Sequence, residues 1–276
     1  MGTGRRLAAA TLVAGLSFGL AGTWSPAVGQ EEPARPKLVD WAPQWRRGAW
    51  WTVRLYQRDQ RERIASPNPA EGGMPVPQDP ARDALPGYPP LRDGVPVGWK
   101  RGNVFRFEVE RRELVRWDDE EGVAPEPFLV VAVRTTEGSP ARTAELWIAQ
   151  EDLTLGRVVL EPKTPRQRVI DTAGTVQLEP AALAGLGFPL VWPDFRAERD
   201  ERKDIVVEGV GRFEQKVRIV NAGTPTEEAH VQLAELAKDP DDPPLRRARI
   251  AWRKGQPFWS RLVTPEYLGE LLEVGK

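Results

Sequence analysis

The chain has no cysteine, two methionines, three tyrosines and one histidine among its 276 residues. Without thiols it can form no disulfide, no zinc–thiolate site and no cysteine nucleophile. Stability is left to an apolar core, which a chain of this length can supply. His230 alone would have to serve any Ser-His-Asp triad or histidine-bearing zinc site. Its neighbours, EEAHVQ, hold neither a nucleophile nor metal-ligand spacing, so a solvated or capping histidine is expected. No Walker loop or dinucleotide fingerprint occurs. The formal net charge of −1 gives no overall pull toward nucleic acid or anionic lipid. The acidic runs Asp118 to Glu121 and Asp239 to Asp242 lack the spaced oxygens and central glycine of an EF-hand loop. No catalytic residue, cofactor site or metal site is assigned. A pair of carboxylates for hydrolase chemistry leaves no local trace, so that class stays open as a third reading.

Long apolar runs are also missing, except near the N-terminus. Arg5 and Arg6 precede an apolar stretch from Leu7 to about Ala21, and Ala27-Val28-Gly29 places small residues before Gln30. That order of charge, apolar core and small-residue site is the order of a secretory signal peptide. The expected organisation is therefore a signal at 1–29 and one β-rich domain at 30–276, secreted or periplasmic, with no membrane anchor after cleavage.

What the mature region has in abundance is alternation, proline and tryptophan. In WWTVRLYQR, Trp51, Val53 and Leu55 face one way and Trp50, Thr52, Arg54 and Tyr56 the other. NVFRFEVERRELV alternates likewise, FLVVAVRTT suits a central strand covered on both faces, and AELWIAQEDLTLGRVVLEP reads as a hairpin turning over Gln150 to Thr154. GRFEQKVRIV and RRARIAW add later strands. The fold class expected is mainly β (β-rich α+β): six to nine antiparallel strands in a curved sheet or half-barrel, with a few short helices. TPEYLGELLEV is the best helix candidate, capped by Thr264 with Pro265 in its first turn; EEAHVQLAELAK and EPAALAGL are weaker ones. Nine prolines between Ser66 and Pro96 mark an irregular insertion. FPLVWPDF, from Phe188, is apolar but proline-broken, as befits a loop packed over an open sheet face.

One pattern recurs three times: WRRGAWW from Trp45, WKRGNVF from Trp99 and WRKGQPF from Trp252. Two adjacent basic residues belong on a turn, glycine supplies φ > 0 or an uncrowded exit, and the two aromatics can pack across it. The other reading is three cationic-aromatic tips at one rim, gripping an anionic ligand. Ten tryptophans follow the signal. Trp50 faces opposite Trp51, and Trp147 opposite Leu146 and Ile148, which gives part of the sheet a second apolar surface. Trp50, Trp147, Trp192 and Phe195 are the candidate ligand-binding residues.

The export signal, the strands of aromatic alternation after Gly48 and Gly102, and the hairpin AELWIAQEDLTLGRVVL together resemble the LolA/LolB-like lipoprotein-carrier superfamily. That resemblance implies an incomplete β-barrel around an apolar cavity and a lipid or lipoprotein acyl chain as ligand. The competing expectation is a ligand-free module that docks onto an envelope protein. The two differ in whether the interior holds a void.

Overall fold

The structure, a computed structural model, describes residues 37–59, 95, 98–116, 125–172, 187–196, 202–207, 211–239, 242 and 244–276. The expected signal segment, the helix candidate EPAALAGL and nearly all of the proline-rich insertion lie outside them. The chain divides into units Met1–Ala34 and Arg35–Lys276, and every described residue belongs to the second.

Twelve strands form one sheet: β1 (Trp50–Arg58), β2 (Trp99–Val115), β3 (Glu126–Glu137), β4 (Thr143–Ala149), β5 (Leu155–Leu160), β6 (Arg168–Asp171), β7 (Arg202–Val207), β8 (Gly211–Val220), β9 (Glu228–Leu236), β10 (Arg246–Arg253), β11 (Arg261–Val263) and β12 (Tyr267–Gly275). Their spatial order is β6-β5-β4-β3-β2-β1-β12-β11-β10-β9-β8-β7. Every adjacent pair is antiparallel. Two meanders therefore run outward from a central seam where the first strand meets the last. The sheet is not closed into a barrel, since β6 and β7 end it on opposite sides.

The hairpin over Gln150 to Thr154 forms where the alternation placed it, with Trp192 bonded to Leu153 in its turn. β3 is covered on both faces as expected: Phe128, Leu129, Val130 and Val131 are all buried. Two helix expectations are corrected. TPEYLGELLEV is β12 and EEAHVQLAEL is β9. In β9 the period of two wins, with Ala229, Val231 and Leu233 buried on the core side. In β12, pairing with β1 over Tyr267 to Gly275 outweighs a local preference worth only tenths of a kcal/mol per residue. Thr264 does cap, but it caps a tight turn: its Oγ1 accepts from the backbone N–H groups of Glu266 and Tyr267 at 3.3 and 2.9 Å. No helix occurs among the described residues. The strand count exceeds the expected nine because β6 and β11, with four and three residues, are too short to show a period, and β7, RKDIVV, does not alternate.

Candidate ligand-binding site

One face of the sheet is an aromatic floor. Trp51, Phe105, Phe107, Trp252, Phe258 and Trp259 stand on it or at its edge, all of them buried. Trp51 stacks on Phe107 at 5.4 Å and on Phe258 at 5.5 Å. Phe258 lies 4.8 Å from Trp259.

The connection from β6 to β7 crosses this floor. Its described part, residues 187–196, holds no regular strand. Pro189 and Pro193 lack the N–H groups that a ladder would use, so the segment lies over the sheet with a single bridge residue, Trp192, rather than joining it as a strand. We call it the strap. Phe188 packs edge-on against Phe105 and Phe107 at 5.1 and 5.2 Å. Phe195 meets Trp252 at 5.0 Å and Trp41 at 5.3 Å. Trp192 meets Trp45 at 5.8 Å. Trp41 and Trp45 come from the segment before β1, which is tied to the strap by the bond from Val39 N–H to the Phe195 carbonyl at 2.9 Å.

The strap also reports how strongly the sheet curls. Trp192 Nε1 donates to the Leu153 carbonyl at 2.8 Å, in the β4–β5 turn. Two residues on, the Asp194 backbone N–H donates to Gln215 Oε1, and Gln215 Nε2 donates to the Asp194 carbonyl, both at 2.9 Å. Gln215 belongs to β8, nine strand steps from β5. In a flat sheet those strands would be about 43 Å apart at ~4.8 Å per step. Three strap residues span about 7 Å between their ends, to which two side chains add roughly 10 Å. The two wings of the open sheet are therefore drawn toward each other, and the strap ties them. The fold is half-barrel-like for that reason.

Three buried indole N–H groups on this face, those of Trp41, Trp51 and Trp259, have no hydrogen-bond acceptor. Those of Trp45, Trp192 and Trp252 do: the carbonyls of Pro257, Leu153 and Gln256. A buried donor left unmatched costs about 1–3 kcal/mol.

The four residues singled out by alternation divide between two surfaces. Trp192 and Phe195 sit in the strap, fully buried against the floor. Trp50 and Trp147 lie half-buried on the opposite face, each beside an arginine: Arg106 is 4.0 Å from the Trp50 ring centroid and Arg111 is 5.6 Å from that of Trp147. Arg111 also makes a two-pronged pair with buried Glu145 at 3.1 and 3.0 Å. Glu145 in turn accepts from Trp147 Nε1 at 3.3 Å. Hydrogen bonding to Glu145 raises the Arg111 pKa further above its already high value, so the guanidinium stays charged. The second apolar surface is thus present but roofed by guanidinium groups, and the four residues do not form one site. The residues that pattern missed are Phe105, Phe107, Phe258 and Trp259 on the floor, and Gln215, a polar side chain in an inward position of β8.

The threefold motif is structural in two copies. Gly48 and Gly255 adopt φ of 83° and 79°. Trp45 stacks on Trp51 at 6.0 Å, and Trp252 packs edge-on to Phe258 at 5.8 Å. Trp45 Nε1 donates to the Pro257 carbonyl at 2.6 Å, so these two copies touch. The middle copy is different: Trp99 to Gly102 lie inside β2, with no turn. Trp99 pairs with Arg58, at the opposite end of β1 from Trp45. Three tips at one rim are therefore not formed. The basic residues have local partners instead: Lys100 with Asp59 at 2.8 Å, Arg253 with Glu228 at 3.0 Å and Lys254 with Glu227 at 3.5 Å.

His230 lies half-buried on β9, 3.4 Å from Glu228. Hydrogen bonding to His230, then to Arg253, lowers the Glu228 pKa against the cost of burial. No group of three His, Asp or Glu residues suited to a metal occurs among the described residues.

No family model matches the chain, and no curated protein does. Among solved structures, the chain is similar to a β-barrel-like protein of the domain of unknown function DUF1849 from Brucella abortus. Identity is 11%, covering 83% of this chain and 98% of that one, with a TM-score of 0.29. That is a weak, barrel-like resemblance, and it is no evidence of a lipoprotein carrier.

Proposed function

We propose that the chain is an exported binding protein that holds an apolar or amphipathic ligand of the lipid or acyl-chain class on the aromatic floor, with the strap as its resident cover. The observation that carries this reading is the strap itself. It covers the aromatic face of an open sheet, yet it holds no regular strand and is secured to the wings by four described side-chain hydrogen bonds. A ligand that slides beneath it would replace aromatic contacts with aliphatic ones. Its polar oxygens could accept from the three unmatched indoles. The open β fold with a buried aromatic cluster is compatible with such binding.

The test is a titration of the chain without residues 1–29 with acyl chains brominated along the tail. Bromine quenches indole fluorescence only at contact. Saturable quenching, with circular dichroism unchanged, is the expected result. Quenching no greater than that of free tryptophan would remove the proposal.

A second reading has its own support. The floor is filled by the chain's own side chains, as suits a ligand-free module. The opposite face carries paired charges, among them Arg54–Glu137 and Arg134–Glu108, around Trp50 and Trp147. Such a face suits an envelope protein partner, and capture of that partner by a chain indifferent to acyl ligands would favour this reading.

A further inference from the structure

The three indoles without an acceptor belong to one patch of the floor. Trp51 and Trp259 both touch Phe258, at 5.5 and 4.8 Å. Trp41 joins the patch through Trp252, which lies 6.1 Å from it and 5.8 Å from Phe258. All three are at most 1% exposed, so bulk water does not serve their N–H groups. The strap roofs part of the patch with Phe188, 6.3 Å from Trp259 and 6.4 Å from Phe258. In the same aromatic cluster Trp45, Trp192 and Trp252 find carbonyls at 2.6, 2.8 and 3.2 Å. Buried donors are matched as a rule, and three unmatched ones in one patch point to a role other than stability.

An indole N–H donates and cannot accept, so its complement is an oxygen with lone pairs to offer. The charge that oxygen can carry is decided by what else is buried. Among the described residues no lysine or arginine is buried, while Asp194 of the strap is. Arg196, the one arginine of the strap, is held by Asp194 at 3.0 Å and by Asp152 at 3.5 Å. A free carboxylate seated on the patch would lose its water without meeting a cation, at a cost that bonds from indoles do not offset. An ester carbonyl accepts the same bonds and carries no charge. A bare hydrocarbon leaves the donors as unmatched as before.

We propose that the ligand of the floor is an uncharged acyl ester, whose carbonyl oxygens accept from the indoles of this patch while its chain covers the rings between them. This rests on the floor reading above and narrows it: Trp41, Trp51 and Trp259 select an ester over a free fatty acid and over a hydrocarbon.

Dodecane, methyl dodecanoate and dodecanoate, each brominated on the tail, are titrated into the chain without residues 1–29 at a pH where the acid is ionised, and indole quenching is followed. The ester should bind about tenfold more tightly than the hydrocarbon, the factor that one or two buried hydrogen bonds supply. It should bind at least about a hundredfold more tightly than the carboxylate, which pays for its buried charge. Trp51 and Trp259 are then each replaced by benzothienylalanine, in which sulfur stands where the N–H was and the ring keeps its shape. Removing an unmatched buried donor should raise the melting temperature of the free chain, yet the advantage of the ester over the hydrocarbon should shrink about tenfold. A ring that only packs the core does not give that opposed pair of changes. The same replacement at Trp252, which gives up a matched bond, should lower melting. Ester and hydrocarbon binding alike, a carboxylate that binds as tightly as the ester, lowered melting on replacement of Trp51 or Trp259, or an ester advantage that survives both replacements would overturn the proposal and leave the floor as a binding surface. Quenching by none of the three ligands would remove the floor reading, and this one with it.

Discussion

Gln215→Met tests the strap directly. The replacement keeps the length of a fully buried side chain and removes only its two hydrogen bonds. The Asp194 backbone N–H and carbonyl then lose their partners in a residue that is 2% exposed. At about 1–3 kcal/mol for each stranded group, the closed strap loses roughly 2–6 kcal/mol. The β8–β9 ladder does not use the Gln215 amide, so the sheet should keep its protection. The loss should therefore appear as local opening, with the bond from Trp192 to Leu153 and the ring contacts still resisting. Amide hydrogen exchange followed by mass spectrometry resolves this. Peptides covering 187–196 should exchange at least about thirtyfold faster, the factor that 2 kcal/mol produces. Peptides from β3 and β10 should be unchanged. If the strap exchanges as in the parent, or if every strand loosens equally, the strap is an integral part of the core and the reasoning is wrong.

Gly102→Val should destabilise by about 1–3 kcal/mol in a denaturant melt, because a Cβ there meets the Leu55 carbonyl oxygen at 2.9 Å; Lys100→Gln with Arg101→Gln should fall within about 0.5 kcal/mol, both side chains being exposed. Phe258→Ala, in a ring contacted by Trp51, Trp252 and Trp259, should cost about 3–5 kcal/mol in the same assay. Arg111→Met should cost about 2 kcal/mol by leaving buried Glu145 unpaired, and Glu145→Leu added to it should recover most of that loss, read by a double-mutant cycle. The lowered Glu228 pKa contributes stability that is complete above the ordinary carboxylate value and is lost as pH falls through the lower folded value, so Glu228→Gln should flatten the acid limb of stability measured against pH.

What the sequence made legible follows its periodicity. The hairpin through Trp147 and Val158 needed only near-neighbour alternation, and the double burial of Phe128 to Val131 only an unbroken apolar run. FPLVWPDF was readable as a cover over the sheet because proline removes ladder donors. β12 and β9 were less legible, since Leu268, Leu271 and Leu272 fit a helical face locally and only pairing with a strand some 200 residues away decides otherwise. One turn is built twice without a visible repeat. In KTPRQ and GTPTE, Thr164 and Thr224 donate to the carbonyls of Glu161 and Asn221 at 2.8 Å, and Gln167 and Glu227 accept from the N–H groups of Lys163 and Gly223. Only Thr-Pro is shared, too short a string to stand out. The site suffered most. Alternation can sort Trp50 from Trp51, but it cannot say which face the strap covers, so one surface supplied two candidates and the other two.

The central claim is that a ligand slides beneath the strap and frees it from the floor. Hydrogen exchange of residues 187–196, measured with and without a saturating acyl ligand, tests it most directly. The account predicts faster exchange across the strap on ligand addition, with slower exchange in β1, β2 and β10 beneath it. Strap exchange that slows or stays the same while the ligand is bound would contradict it.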